Sequence, residues 1–438
     1  MQLAEDFGSR AIARLPSAAL RRIVVSSVTG AVIETYDFFL YGAASALIFN
    51  TLYFPTGAAT STASVAFVSF FAGPVGRPIG AAIFGHYGDR IGRKAMLATT
   101  IIIMGVATSL VGLLPTHDQI GAAAPLLLVC LRFMQGIGLG GEWGGGVLMV
   151  VENAPARYRG FFASLVQLGN PLGLLAATAA FAVVCELPDR ELMSWGWRIP
   201  FVASIAFVGL GLYIRLNLAE TPVFQQLKLD DDVATVPLLE VLTHHRRAFF
   251  TAVGLRISEL AYFRIVSIFA IFYSTSHLGL PRALILQALQ FSAFAALLAI
   301  PAYGWLSDIL GRKAMFVASC LFSIAFAFPL FALLDTKDPS VIKATMVVVV
   351  VLAPMISLGV GASWYSELFP ARLRYSGASL GFQVGATLGN GLTPVIAASL
   401  MVWSAGATWP ISVYLIVCAC ITLAAAIAAP ETARKALT

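Results

Sequence analysis

Apolar stretches of about 20 residues or more, separated by short polar turns, fill most of the chain. A run of that length as a helix crosses a hydrocarbon core of roughly 30 Å. About twelve such runs fall at 24–49, 64–86, 96–114, 124–150, 161–184, 199–217, 248–276, 284–306, 315–333, 342–365, 377–402 and 408–429. Glycine is frequent and there is no strand-length alternation of apolar and polar positions, so the pattern predicts membrane-spanning helices, not a barrel.

The polar turns repeat. "GHYGDRIGRKAM" at 85–96 returns as "GWLSDILGRKAM" at 304–315, half a chain later. "ENAPARYRG" from Glu152 returns as "ELFPARLRY" from Glu367, each followed by Gln-x-Gly at Gln167 and Gln383. The chain therefore reads as a duplicated six-helix unit: an N-terminal bundle over 1–217, a polar linker over 218–247 carrying Asp230, Asp231, Asp232 and "HHRR", and a C-terminal bundle over 248–438 with a short tail. Paired bundles of this kind can rock about a central site and expose it to either side of a membrane in turn. The repeated turns then supply a latch, in which Asp89 meets Arg93 and Arg157, and Asp308 meets Arg312 and Arg372. Glu152 and Glu367 stand beside them, and the repeated glycines let helix ends approach.

Composition narrows the class. Of 438 residues, 59% are hydrophobic and 11% charged, against about 25% charged in an ordinary soluble protein, which excludes a water-soluble fold. Most of the 28 basic residues lie in the termini and in the turns after even-numbered spans, so both termini and the charged turns are expected on the cytoplasmic side of the inner membrane. The net charge of +6 then reports topology, not nucleic-acid binding. The polar N-terminus shows no cleavable signal. The five cysteines read as small buried hydrophobes, and the five histidines lack metal-site spacing. "GIGLGG" at 136–141 mimics a dinucleotide-binding loop, but no strand precedes it; its glycines suit close helix packing. With no P-loop, metal cluster or catalytic constellation, the chain is expected to be neither an ATPase nor another enzyme and to need no cofactor beyond a proton gradient. A non-transporting membrane sensor is the alternative outside transport.

Charges inside a membrane are costly and mark pathways. Glu34, Asp37 and Tyr41 share one face of the first span, and two carboxylates one turn apart suit proton uptake and release. Arg77 sits mid-span in "GRPIG". Arg132, Gln135 and Glu142 fall within an arc of about 80° on the fourth span, where an arginine fork suits a carboxylate. Arg256 and Glu259 lie three apart, placed either to pair with each other or to meet substrate. Arg264 lies on another face and is expected near the bilayer edge. Gln167, Asn170, Gln383 and Asn390 offer neutral hydrogen bonds at pseudo-symmetric places.

"GHYGDRIGRK" resembles the cytoplasmic signature of the major facilitator superfamily, and "ETYDFFLYG", "LRFMQGIGLGGEWGG", "SWGWRIPF" and "RYSGASLGFQVG" are similar to its metabolite:proton symporters. Thr35 stands where that family usually has tryptophan. The resemblance implies an all-α integral membrane protein, with twelve helices in two bundles, working as a monomer to import a small organic acid with protons. "LRISEL" and "YSTSHLGLPR" resemble the shikimate-carrying branch, and di- or tricarboxylates are carried on similar frames. The Arg-x-x-Gln-Gly of the fourth span also resembles the superfamily's pattern there, which implies proton coupling; the intramembrane charges and polar groups themselves make Asp37, Glu34 and Glu142 the candidates for proton coupling, and Arg77, Arg132, Gln135, Tyr41, Gln167, Asn170, Arg256, Glu259, Gln383 and Asn390 the candidates for substrate contact. Two alternatives within transport are uptake of a zwitterionic osmolyte such as betaine or proline, and drug/proton antiport. The tail after Pro430 lacks the heptads of long-tailed osmolyte carriers, and "GNPLG" departs from the antiporter motif at Asn170.

Overall fold

The computed structural model describes residues 17–54 and 59–437, so the N-terminal residues whose side of the membrane the charge pattern assigns lie outside the described part. Among the described residues every regular element is helical. We number twelve principal helices: α1 (Ser17–Ala44), α2 (Ala59–Ile91), α3 (Arg93–Leu113), α4 (Ala123–Val151), α5 (Arg159–Val166 with Gly169–Val184), α6 (Arg198–Leu216), α7 (Arg246–Arg264, continued by Ala270–Ser276), α8 (Arg282–Leu310), α9 (Arg312–Leu334), α10 (Pro339–Leu352 with Pro354–Glu367), α11 (Arg374–Ala386 with Leu392–Trp403) and α12 (Trp409–Ala428). Ten are long and apolar enough to cross a membrane on composition alone; α2 and α7 complete the two six-helix bundles.

The breaks have local causes. Proline at the start of the second piece of α10, Pro354, removes an N–H donor and forces a new start. Wide, π-type turns interrupt α7 at Ile265–Phe269 and α11 at Thr387–Gly391, and such turns favour functional sites because they re-aim the side chains around them. The glycines of "GIGLGG" let α4 lie directly against α2: a side chain at Gly136 would strike the Gly73 carbonyl, and one at Gly140 the Arg77 carbonyl. The repeated turn glycines Gly92 and Gly311 adopt φ of 130° and 101°, a region closed to other residues without strain.

The linker is built, not merely solvated. It forms two short helices, Pro222–Leu229 and Pro237–His244, against the bundle ends. Of the cysteines, Cys320 and Cys418 are buried, whereas Cys130, Cys185 and Cys420 face outward on apolar helices, since a thiol also tolerates lipid. One apolar core runs between the bundles near the charged turns, where the Trp143 ring of α4 stacks on Phe382 of α11 with centroids 3.4 Å apart.

Candidate functional site

Between the bundles lies a narrow cleft lined by Phe38, Pro74 and Arg77 on one side, and by Arg264, Ile268, Thr387, Asn390 and neighbouring small residues on the other, with about 30 Å³ of space for solvent. The π-type turns explain who is here: one follows Arg264 directly and the other contains Asn390, which accepts a hydrogen bond from Arg264 Nε at 2.7 Å. Arg264 therefore does not reach for the bilayer edge; the widened turn carries it inward. Both guanidiniums lie near the Phe38 ring, Arg77 at 5.7 Å and Arg264 at 5.3 Å from its centroid. Glu34 approaches Arg77 at 3.7 Å. The cleft wall thus carries two arginines, one from each bundle, and Glu34 pairs with Arg77 from beside the wall.

Asp37, one turn from Glu34, is enclosed instead. Its Oδ1 accepts from Thr108 Oγ1 at 2.5 Å and from Gln135 Nε2 at 2.8 Å, and Oδ2 lies 3.7 Å from Arg132 Nη1. Arg132 also donates to Gln135 at 2.9 Å and stacks over Tyr41, 3.6 Å from its centroid. Asp37, Arg132, Gln135 and Tyr41 are therefore gathered as the shared faces imply, but beside the cleft, not on its wall. Thr108 was missed, because a threonine in an apolar span carries no signal until α3 is packed against α1.

Other candidates are placed elsewhere. Glu142 turns away from that cluster to a buried pair with Arg215 of α6, and accepts from Thr100 at 2.9 Å. Arg215 reaches it across α3, where it also donates to the Leu97 carbonyl at 2.6 Å, a partner the arc on α4 alone cannot reveal. Arg256 and Glu259 pair with each other, and the guanidinium lies 3.9 Å from the Phe382 centroid. Asn170 donates to Gln167 at 3.2 Å, and Gln383 donates to the Leu139 carbonyl at 3.4 Å; none of these three lines the cleft.

At the end carrying the charged turns the bundles are locked together by two matching contacts. Asp89 accepts the backbone N–H groups of Tyr375 (3.1 Å) and Ser376 (2.8 Å) at the start of α11. Asp308 accepts those of Gly160 and Phe161, both at 2.9 Å, at the start of α5. Each carboxylate caps a helix of the opposite bundle, where unpaired N–H groups and the helix dipole favour an anion. Arg93 bridges Asp89 and Glu152 at 3.5 and 3.4 Å, and Arg312 bridges Asp308 and Glu367 at 2.9 and 3.3 Å.

Arg159 and Arg374 form ion pairs across the bundles, with Glu367 and Glu152, both at 3.2 Å, and Arg93 also crosses by donating to the Ala371 carbonyl at 3.0 Å. The latch partners read from sequence, Arg157 and Arg372, do not fill that role. Arg157 is exposed, and Arg372 pairs with Glu240 and Asp232 of the linker. In each Arg-x-Arg the second residue opens the helix and points into the bundle, while the first sits on the preceding turn.

Two further carboxylates finish this end. Glu220 accepts Lys94 N–H at 3.1 Å, and Glu431 accepts the N–H groups of Arg312 and Lys313 at 3.1 and 3.0 Å, so linker and tail cap α3 and α9 alike. Burial works to raise the Glu431 carboxyl, but the backbone N–H groups of Ala433, Lys313, Arg312 and Thr432 outweigh it and hold the group below its ordinary 4.5. Among the described residues, the hydrogen bonds and ion pairs between bundles run from this end up to Thr387 and Pro74, at 3.2 Å, and none lies beyond.

The family model for the "Sugar (and other) transporter" family matches residues 23–244 and 237–438, nearly the whole chain. The chain belongs to that family. Among curated relatives of this transporter, the shikimate transporter of Escherichia coli (strain K12) is 40% identical over 90% of this chain and 91% of its own length. The inner membrane metabolite transport protein YhjE of the same organism is 36% identical over 96% and 97%, and its proline/betaine transporter 32% identical over 98% and 87%. The fold matches that of the major facilitator superfamily proton:xylose symporter XylE, with a TM-score of 0.77 at 19% identity, covering 96% of this chain and 98% of that one. The protein is a transporter of the major facilitator superfamily and not an enzyme.

Proposed function

We propose that this transporter imports a small carboxylated metabolite together with protons, as a monomer in the inner membrane with both termini in the cytoplasm. The observation that carries the substrate class is the cleft's charge: Arg77 and Arg264 approach from opposite bundles while Glu34 is the carboxylate beside them. An excess guanidinium in a low-dielectric cleft is neutralised by an anion, and its fork fits a carboxylate. A substrate held by both arginines ties the bundles together across the cleft, which gives it the differential affinity for one state that transport requires. Shikimate and di- or tricarboxylates fit this charge, whereas a zwitterionic osmolyte leaves it uncompensated.

Asp37 is the proton carrier in this reading. Ionised, it holds Arg132 and Gln135; protonated, it releases the guanidinium, and the α1–α4 contact loosens. In this reading the end joined by the charged turns faces the cytoplasm, the conformation with those turns joined is the one closed to the cytoplasm, and the gradient supplies the driving energy without a cofactor. Support comes from the 40% identity to a shikimate transporter and from a fold shared with a proton symporter.

The test is uptake into proteoliposomes under an imposed pH gradient, comparing shikimate, 2-oxoglutarate, citrate and betaine. Accumulation of a carboxylate that collapses with the gradient and is lost in Asp37→Asn is expected. Accumulation of betaine alone, or indifference to both the gradient and the substitution, refutes the reading.

A further inference from the structure

A second hollow lies away from the central cleft, on the flank of the C-terminal bundle. Phe291 of α8 faces Lys343, Ala344, Val347 and Val348 of α10 across a groove with about 520 Å³ of space. Phe291 shares its helix face with Phe294, Leu298 and Trp305, all exposed apolar side chains, so this is the side of α8 that meets lipid. On α10 the opposite face, with Met346, Val349 and Val350, packs into the core of the bundle.

The groove has a defined depth. Over both pieces of α10, 339 to 367, the middle falls at 353, and Lys343 stands 353 − 343 = 10 residues from it. At 1.5 Å per residue that is about 15 Å, the edge of a hydrocarbon core roughly 30 Å thick and the level at which lipid phosphates begin. It is the end of the bundle away from the charged turns. A lysine at this depth ordinarily extends its chain to water. Lys343 is only partly exposed, and its Nζ lies 5.9 Å from the centroid of Phe291, a residue nearer the middle of its own helix. Among the described residues this ammonium has no ion pair or hydrogen bond. A contact with a ring at that distance does not replace an anion.

We propose that the groove binds an anionic phospholipid, whose phosphate meets the Lys343 ammonium and one of whose acyl chains lies against Phe291, Ala344, Val347 and Val348. Those three residues of α10 follow Lys343 down the same face toward the bilayer centre, so a chain leaving a phosphate at Lys343 runs over them. The space falls within the roughly 300–1,000 Å³ of small-molecule sites. A zwitterionic lipid brings a second cation to Lys343 and leaves its charge uncompensated. Five lining residues are far fewer than the 20–30 or so a side of a stable protein interface, which argues against a second copy of the chain. Because it touches both helices, the lipid holds the first piece of α10 to α8, ahead of the break at Pro354.

The test uses full-length protein in mild detergent with phosphatidylglycerol, phosphatidylethanolamine or phosphatidylcholine of identical chains. Native mass spectrometry counts the lipids retained, and melting curves are run in parallel. Wild type is expected to keep one phosphatidylglycerol more tightly than either zwitterion and to melt higher with it. Lys343→Gln weakens that retention about fivefold, the contribution of one lysine beside an anionic lipid. Lys343→Arg keeps it. Ala344→Phe, which fills the groove, removes it without lowering the melting temperature of the lipid-free protein. Arg190→Gln, exposed at the same end of the N-terminal bundle, leaves it unchanged.

Equal retention of the three lipids overturns the proposal, as does phosphatidylglycerol binding that Lys343→Gln and Ala344→Phe leave unaltered. Inorganic phosphate that reproduces the whole rise in melting temperature refutes the part given to the acyl chain. A dimer that Ala344→Phe disperses while lipid retention stays the same assigns the groove to a second copy and sinks the lipid. Should Ala344→Phe fail to fold, the contrast between Lys343→Gln and Lys343→Arg decides.

Discussion

Replacing Asp89 by asparagine isolates what the inter-bundle caps contribute to the conformational balance. Asparagine keeps the shape and one acceptor oxygen but loses the charge. The Asp89–Arg93 contact lies within one bundle and survives whichever way the halves rock, so the contacts that matter are the N–H bonds from Tyr375 and Ser376. A hydrogen bond to a charged group contributes about 1.5–3 kcal/mol and a neutral one about 1. Losing one charged bond and neutralising the other therefore removes about 2–5 kcal/mol from the closed state, a shift of about 30-fold or more in the equilibrium. Asp308→Asn removes the matching cap on α5 and shares no hydrogen-bond partner with Asp89, so the double variant shifts by about the sum.

Spin labels at Ile91→Cys and Leu310→Cys, both outward-facing at the ends of α2 and α8, report the separation of the bundles once the five native cysteines are replaced. Pulsed dipolar spectroscopy is expected to show a longer-distance population growing in each variant and dominating in the double. An unchanged distance distribution in both singles and the double would show that the caps do not hold the gate.

Arg264→Gln should raise the KM for carboxylates by about tenfold or more while leaving thermal stability near wild type, since one charge-assisted contact to substrate is lost and no ion pair inside the fold is broken; uptake kinetics beside a melting curve decide it. Arg215→Ala leaves Glu142 buried without its cation and is expected to cost about 3–5 kcal/mol, read as a fall in melting temperature, whereas Arg215→Met with Glu142→Leu recovers much of it. Gly92→Ala puts a side chain at φ 130° against the Glu220 carboxylate and is expected to destabilise by about 1–2 kcal/mol in the same assay. The docked tail has a pH limit. Because the Glu431 carboxyl lies below its ordinary 4.5, its stabilisation is fully present above that value and fades as pH falls through the lowered one. Proteolysis of the tail by an acid-active protease should therefore accelerate below about pH 4.5 in wild type relative to an unstructured control substrate, and Glu431→Gln should be cleaved at pH 7 by a neutral protease that spares the wild-type tail.

The sequence by itself determined the class of molecule. Apolar runs long enough for a bilayer, too few charges for a watery exterior and a repeated charged turn leave little but two helical bundles, because the cost of burying backbone and charge in lipid admits few alternatives. It also put Asp37 and Tyr41 on one face of the first span and Arg132 and Gln135 on one face of the fourth, since helical spacing acts within a single helix; that the two faces meet came from the packing. Tertiary structure alone decided the partners. Glu142 belongs to Arg215, Arg159 and Arg374 cross between bundles where Arg157 and Arg372 do not, and Arg264 faces the cleft because a widened turn in α7 rotates it there. Those choices depend on which helices lie side by side and on a fraction of a turn in each, and helix packing sets both through contacts spread over the whole chain.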